Sequence, residues 1–243
     1  MLEYGVISQK GSRKVNEDFT GAVRKGDTWC FVLADGLGGE GKGEIASSLA
    51  VQSVLEYFRS EGGLTRECLE KCFELAQDGL LKKQREMNCS NEMKTTMVVL
   101  LTDGKHARWG HSGDSRLYYI EDGERFFHTR DHSVPQMLAA LGAIEEKDIR
   151  GHEDRNRLLK ALGVEWTSAG YEISEEVDVK ESDCFLLCTD GFWEGITEEQ
   201  MLADLKISES MEQWLETMER ELLEYGTSNE LDNYSAVAVG KGR

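Results

Sequence analysis

Apolar and polar residues recur along the chain with two different periods, and these periods predict its first elements. Apolar runs at 3–8, 19–23 and 29–34 are typical of strands. After a glycine-rich loop, apolar residues recur at helical spacing from 45 to 58 and again from 69 to 80. The first third of the sequence therefore predicts three strands followed by two helices.

The chain then returns to strands. Six are predicted, at 95–102, 106–110, 116–120, 171–179, 183–189 and 234–239. The turns Asp103-Gly104 and Gly113-Asp114 have the composition of hairpin turns, and we expect them to join the first three of these strands. Strands that are joined by such short turns must be antiparallel.

Two further helices are predicted near the end of the chain, each opened by a capping box that satisfies its first backbone N–H groups. The boxes are Thr197…Gln200 and Ser210…Gln213. The segment 131–163 is irregular, and we expect it to form a flap with short helices. With one proline and no low-complexity linker, the sequence predicts a single α+β domain over residues 1–243.

Charge limits the partners of this domain. The chain has 46 acidic and 28 basic residues, which give a net charge of −18. Nucleic acids and anionic membranes are bound by clustered Lys and Arg, so we expect neither as a partner. We also predict that the protein is a monomer. No apolar run approaches the roughly 20 residues of a membrane helix, and the first residues lack the apolar core of a signal peptide.

The six cysteines are predicted to be reduced thiols packed in the core. Cys68 and Cys72, like Cys184 and Cys188, lie four residues apart in apolar stretches, and no C-x-x-C pair is present. None of the five histidines has the spacing of a zinc ligand. We therefore expect a cytoplasmic protein without a zinc site.

The glycine-rich loop FVLADGLGGEGKG, residues 31–43, satisfies both the G-x-G-x-x-G and the G-x-x-x-x-G-K phosphate-loop patterns. A dinucleotide fold needs a parallel strand after one helix, whereas two helices follow here before the strand near Thr95. Gly43 also replaces the Ser or Thr that would hold Mg²⁺ in the second pattern. Asp35 would repel a phosphate at the mouth of the loop. We therefore predict that this loop does not bind a nucleotide.

Asp35-Gly36 has a twin in Asp190-Gly191, because each pair follows an apolar strand. A carboxylate at the tip of a buried strand is costly unless it is paired, hydrogen-bonded or bound to a cation. The glycine is expected to let the backbone turn sharply and bring a carbonyl to the same cation. Three more acidic clusters precede strands: Asn16-Glu17-Asp18, Gly113-Asp114 and Asp232-Asn233. Such oxygen ligands favour Mg²⁺ or Mn²⁺.

With these motifs assembled, the chain resembles the metal-dependent Ser/Thr protein phosphatases, the PPM or type 2C family, in its compact bacterial form. The resemblance runs nearly end to end, with the motifs in the family's order. They are Arg13-x-x-Asn16-Glu17-Asp18, Asp35-Gly36-x-Gly38-Gly39, Gly43-Glu44-x-Ala46-Ser47, Thr95-Thr96, Gly113-Asp114-Ser115-Arg116, Asp131-His132-Ser133, Ala161-Leu162-Gly163, Thr189-Asp190-Gly191 and Asp232-Asn233.

The resemblance implies an αββα sandwich, in which two antiparallel sheets lie between helix pairs and two Mn²⁺ or Mg²⁺ ions bind at one end. It implies that Asp35 bridges the two ions. The other implied metal-site residues are Asp190 and Asp232 for one ion, the Gly36 carbonyl for the other, Glu17 through water, and Asp114 with Asp190 for a third, weaker site. The implied nucleophile is a water between the ions.

The resemblance also assigns the substrate side of the reaction. Arg13 would hold the phosphate of a phosphoserine or phosphothreonine, and the implied catalytic residues are Arg13, Asp35, Asp190 and Asp232. Asp18 would support these groups from behind. Leu37 departs from the animal members, which often carry a histidine proposed as general acid there.

Two other functions use similar residues. A phosphatase-like binding module without catalysis should have lost its metal carboxylates, but these carboxylates and Arg13 remain. A metal-dependent nuclease or nucleotide hydrolase needs a basic surface that the composition lacks. The sequence therefore favours an active protein phosphatase. The resemblance implies that its partners are phosphorylated proteins, and it leaves a cognate Ser/Thr kinase as a further candidate partner.

Overall fold

Two antiparallel sheets form the centre of the structure, which is a computed structural model that describes residues 2–38, 42–89, 92–227 and 230–242. The first sheet has the strand order β1 (Leu2–Gln9), β12 (Tyr234–Lys241), β11 (Cys184–Cys188), β7 (Arg116–Glu121) and β8 (Arg125–His128). The second has the order β10 (Val177–Asp178), β6 (His106–Ser112), β5 (Met97–Thr102), β3 (Thr28–Leu37) and β2 (Asp18–Lys25), with β4 (Lys94–Thr95) beside β3 and β9 (Glu172–Ile173) beside β6.

Helices cover the outer faces of the sheets. They are α1 (Lys42–Glu61), α2 (Arg66–Met87), α3 (Val134–Ala140), α4 (Asp190–Trp193), α5 (Glu198–Ile207) and α6 (Met211–Gly226), with a 3-10 turn at Glu146–Asp148. α1 and α2 pack on the second sheet, and α4 to α6 pack on the first. Within the described ranges, each helix is too short or too polar to span a bilayer.

The burial pattern of β3 explains its uninterrupted apolar run. Cys30, Val32 and Ala34 pack in the cluster under α1 and α2, whereas Phe31 and Leu33 face the other sheet. Both faces of the strand are therefore buried, so its residues do not alternate between apolar and polar. A third cluster lies between the first sheet and its helices. The predicted α+β class with two antiparallel sheets is confirmed, and the three clusters fit the order helix, sheet, sheet, helix.

The thiols agree with the sequence prediction, because all six cysteines are buried. The nucleotide-loop patterns are excluded by topology. In the described part of the chain, the strands that follow the loop and pair with β3, β4 and β5, are both antiparallel to it, whereas a dinucleotide fold needs a parallel strand there. Gly39 and Gly41 of that loop lie outside the described residues.

The predicted hairpin at Gly113-Asp114 is wrong. β6 lies in the second sheet and β7 in the first, so this turn carries the chain from one sheet to the other. The hairpin of β7 is instead with β8, through Asp122-Gly123, where φ values of 54° and 66° give a left-handed turn. Apolar periodicity could not show this, since β6 and β7 both contribute to the cluster between the sheets.

Two other predictions need correction in detail. The strand expected at 171–179 is a pair of two-residue strands that only edge β6. The Thr197 capping box is confirmed, with both reciprocal hydrogen bonds present. At Ser210 only half of the box forms, because the Gln213 side chain accepts from the backbone N–H of Glu209 at 2.7 Å.

The Thr197→Ala variant tests the N-terminal cap of α5. The substitution removes the side-chain oxygen that accepts from the Gln200 N–H, and we expect it to lower the free energy of unfolding by about 1 kcal/mol in urea denaturation. Thr217→Ala is the control, since Thr217 lies inside α6 and bonds only its own helix carbonyl. Equal losses in both variants would contradict the assigned cap.

Candidate metal centre

A cavity of about 520 Å³ lies where β3 and β11 end and where β2 and β12 begin. Every residue predicted for the metal site lines it, together with the predicted phosphate ligand: Arg13, Glu17, Asp35, Gly36, Asp114, Asp190 and Asp232. Asn156, Leu158 and Asn233 also line the cavity, although sequence reasoning did not assign them to the site. The structure thus brings together residues from six separate parts of the chain.

The end of β3 is fixed by the strands on either side of it. Asp35 stands opposite Asp18 in the pairing of β2 with β3. On the other side, the Thr95 hydroxyl and the Thr96 N–H donate to the Asp35 carbonyl, at 2.7 and 2.9 Å. The Asp35 N–H donates to the Thr96 hydroxyl at 3.0 Å. These bonds hold the backbone of Asp35 while its carboxyl faces the cavity.

Neighbouring backbone crowds the glycine in both Asp-Gly motifs, but the two motifs do not form the same turn. β3 continues through Gly36 to Leu37, so the expected sharp turn after Asp35 is wrong. A Cβ on Gly36 would lie 2.2 Å from the Gly43 carbonyl oxygen and 2.6 Å from that of Glu17. A Cβ on Gly191, within α4, would lie 2.1 Å from the Asn233 carbonyl oxygen. Glycine is required at both positions because other backbone approaches so closely.

Asn233 clamps the loop that carries Arg13. Its side-chain oxygen accepts from the Glu17 N–H at 2.8 Å, and its amide donates to the carbonyls of Lys10 and Val15 at 3.0 and 2.9 Å. The neighbouring Asp232 uses one carboxylate oxygen to accept from the Asn233 N–H at 2.8 Å. The start of β12 therefore positions both a carboxylate and the arginine loop.

Arg13 reaches the cavity from this loop. Its Nη2 donates to Asp232 Oδ2 at 2.7 Å, although 61% of the side chain is exposed. This bond to Asp232 raises the pKa of Arg13, so the guanidinium stays charged. Among the described residues, Arg13 pairs with Asp232 and makes no ion pair with Glu17 or Asp18. Arg13 thus places a charged fork at the rim of the acidic cavity.

Glu17 and Asp18 have different surroundings. The Glu17 carboxylate accepts from the backbone N–H groups of Gly43 and Glu44 at the start of α1, although burial has the larger effect and raises its pKa. Asp18 is buried behind the cavity, where the Thr189 hydroxyl donates to its Oδ2 at 3.0 Å. Its Oδ1 is buried without a hydrogen-bond partner among the described residues.

Burial and mutual repulsion shape the electrostatics of the centre. Burial, followed by the charges of neighbouring carboxylates, raises the pKa of Asp18 to about 7 and raises the pKa values of Asp35, Asp114 and Asp190. A divalent cation would relieve this repulsion. It would also place a neutralising charge near Asp18, whose Oδ1 has no hydrogen-bond partner among the described residues. The donor set is therefore suited to hard divalent ions.

A second cluster of possible ligands lies outside the cavity. Ligand atoms of His111, His132 and Glu172 lie within 4.8 Å of one another, which sequence spacing did not indicate. His132 Nδ1 accepts from the Gly113 N–H at 3.2 Å, so its proton is on Nε2, which faces Glu172 at 3.0 Å. A metal on Nε2 would require the proton on Nδ1, against that N–H. The cluster is therefore a hydrogen-bonding group rather than a metal centre.

The chain is similar to bacterial phosphatases in sequence. A profile described as protein phosphatase 2C matches residues 8–234. The serine/threonine phosphatase stp of Listeria monocytogenes is 30% identical over 235 residues, which cover 93% of this chain and 90% of that protein. The serine/threonine protein phosphatase PstP of Mycobacterium tuberculosis is 30% identical over 217 residues, which cover 87% of this chain and 40% of that protein. The chain thus spans less than half the length of PstP.

Solved structures have the same fold. The crystal structure of Mycobacterium tuberculosis PstP/Ppp gives a TM-score of 0.86 at 26% identity, covering 100% of this chain and 99% of that chain. The catalytic domain of PstP in complex with two manganese ions gives a TM-score of 0.83 at 24% identity, with the same coverage.

The raised carboxylate pKa values predict how pH affects the stability of the metal-free protein. A folded-state pKa above the ordinary value, as for Asp18 at about 7 against 3.8, gives stability at low pH that is lost as pH rises through that window. We expect the Tm of EDTA-treated protein to fall by about 5 °C between pH 5 and pH 8. Asp35→Asn should flatten this fall, because it removes one repelling charge.

Asp27→Asn provides the control for this measurement, because the Asp27 side chain is 95% exposed and lies away from the cavity. Its Tm should follow the wild-type pH profile. A metal-free Tm that rises over the same pH range, or equal slopes for all three proteins, would contradict the repulsion of the buried carboxylates.

Proposed function

The chain belongs to the protein phosphatase 2C family, and from that membership we propose that it is a metal-dependent protein serine/threonine phosphatase. The observation that carries the proposal is the convergence of four aspartates on a cavity whose rim holds a charged arginine. Acidic ligands suit divalent cations, and a guanidinium suits a phosphate. Together they suit a phosphate ester that binds beside divalent cations.

We propose roles for the residues that line this cavity. Asp35 would contribute to the binding of both of two Mn²⁺ or Mg²⁺ ions, Asp190 and Asp232 would hold one of them, and the Gly36 carbonyl and Glu17 would hold the other. When bound, two such ions supply a nucleophile at neutral pH by lowering the pKa of a shared water. The manganese-bound PstP catalytic domain supports this choice of metal by analogy.

Arg13 would bind and orient the phosphate. Its planar fork can donate two parallel hydrogen bonds to phosphate oxygens and balance the charge that the transferring group carries. The Asp232 partner holds this fork at the cavity rim. Substrate phosphate would compete for the same N–H groups.

No side chain is assigned as the nucleophile. Ser112 lies next to the Gly113-Asp114 turn, but its hydroxyl is buried and donates to the Gly170 carbonyl at 2.7 Å. None of the described residues that line the cavity is a histidine, and Leu37 stands on the wall. Water is therefore proposed both to attack phosphorus and to protonate the leaving group.

The remaining assignments follow from this activity. We propose that residues 1–243 act as one catalytic domain and that the flap, residues 131–163, shapes substrate preference, since Asn156 and Leu158 come from it. Phosphorylated proteins and a cognate Ser/Thr kinase would be its partners, and the buried thiols support a cytoplasmic location. A binding module without catalysis is disfavoured, because the metal ligands and Arg13 are retained together.

Asp35→Asn tests the assigned bridging ligand. We expect the variant to keep its fold but to lose turnover of a phosphothreonine peptide, because one charge fewer weakens both metal sites. Hydrolysis is measured with saturating Mn²⁺, and EDTA-treated wild type sets the background. Near-normal turnover of the variant at saturating Mn²⁺ would count against the assignment.

Arg13→Ala separates phosphate binding from metal binding. Loss of a charge-assisted bidentate contact should lower kcat/KM by on the order of 30- to 1000-fold, or about 2–4 kcal/mol, with nearly unchanged Mn²⁺ affinity. Arg13→Lys should recover only part of this loss, since a point charge cannot reproduce the fork.

Arg24→Ala is the matched control, because Arg24 also pairs with one aspartate at the surface but lies on β2 outside the cavity. An exposed ion pair contributes at most about 1 kcal/mol to stability, so kcat/KM should be unchanged. If Arg13→Ala stays within about threefold of wild type, the phosphate-binding role is refuted.

A further inference from the structure

We propose that Trp193 is a positioning residue that fixes Asp114 relative to Asp190, and that its indole N–H thereby sets the affinity of the third cation site. The inference rests on the proposed function, since it assigns a role within the same metal centre. The position of Trp193 in the sequence suggests only core packing.

The turn that carries Asp114 is set by backbone contacts. Gly113 has a φ of 99°, and a Cβ there would lie 2.6 Å from Thr96, so the turn has little freedom. The Asp114 carbonyl accepts from Trp193 Nε1 at 3.0 Å, and Asp114 also lines the acidic cavity. The indole therefore holds the backbone from which the Asp114 carboxyl projects.

Trp193 belongs to the element that carries the second ligand. α4 begins at Asp190 and ends at Trp193, so one short helix bears both residues. The bond from Trp193 to the Asp114 carbonyl ties this helix to the turn between the sheets. The bond therefore fixes the Asp114 turn relative to the helix that begins at Asp190.

The guanidinium groups of two arginines contact the indole ring of Trp193. The Arg116 guanidinium lies 3.5 Å from the ring centroid and binds Asp131 with two hydrogen bonds of 2.8 Å. The Arg150 guanidinium lies 5.4 Å from the same centroid and makes two bonds of 2.9 Å to Glu198. Asp131 and Arg150 both belong to the flap, so Trp193 also connects the flap to the Asp114 turn.

Trp214 offers a matched comparison for packing alone. It is also fully buried on the helix side of the first sheet, and its Nε1 donates to the Met201 carbonyl at 2.9 Å. It does not line the cavity. Trp→Phe at either position removes the same hydrogen bond and similar volume, but only Trp193 contacts the Asp114 turn.

The test measures Mn²⁺ binding directly, by electron paramagnetic resonance of the free ion, on the full chain. We expect wild type to bind two ions tightly and a third weakly. Trp193→Phe should weaken the third site by about fivefold, the effect of one hydrogen bond, and leave the other two unchanged. Trp214→Phe should lower Tm comparably but keep all three affinities. In an Asp114→Asn background, Trp193→Phe should have no further effect on Mn²⁺ binding.

If Trp193→Phe does not fold, site-specific replacement of Trp193 by 3-benzothienylalanine keeps the ring shape and removes only the N–H donor. A third-site affinity that changes no more than in Trp214→Phe would overturn the inference. So would a wild type that binds only two ions, although phosphopeptide hydrolysis would then leave the proposed function standing. Absence of both Mn²⁺ binding and hydrolysis in wild type would overturn the proposed function itself.

Discussion

Repulsion among closely placed carboxylates governs the functional end of this protein. Asp18 and Asp35 stand opposite each other in paired strands, and Asp190 follows the end of a strand in the other sheet. Burial and these neighbouring charges raise their pKa values, so the group is costly to the folded chain without a cation. The packed clusters between sheets and helices supply the stability that offsets this cost. A divalent ion would relieve the repulsion, so the same cost would favour cation binding.

Close backbone contacts convert this acidic group into a defined site. Gly36 and Gly191 admit neighbouring carbonyls to distances that no side chain would allow. Thr96 then holds the backbone of Asp35, and Asn233 holds the backbone of Glu17, with hydrogen bonds of ordinary length. The acidic side chains of the cavity are therefore placed largely by neutral groups. Positioning of this kind suits catalysis, since misplaced charges would lose much of their effect on the reacting phosphate.

Sequence reasoning singled out the acidic residues that line the cavity and predicted the α+β class because both leave local signals. Strand ends followed by Asp-Gly, and apolar periods of two kinds, can be read without tertiary contacts. It failed at Gly113-Asp114, where periodicity reports that β6 and β7 are buried but not that they lie in different sheets. Asn156 and the cluster of His111, His132 and Glu172 were also missed. These residues are distant along the chain, and their types carry no spacing rule, so only the folded structure brings them together.

We propose that the acidic cavity, and not the histidine cluster, holds the cations. A crystal structure of the protein grown with Mn²⁺, with anomalous scattering recorded at the manganese edge, locates the ions without reference to activity. We expect two strong peaks within ligand distance of Asp35, one beside Asp190 and Asp232 and the other beside the Gly36 carbonyl. Peaks confined to His132 and Glu172, or none near Asp35, would contradict the claim.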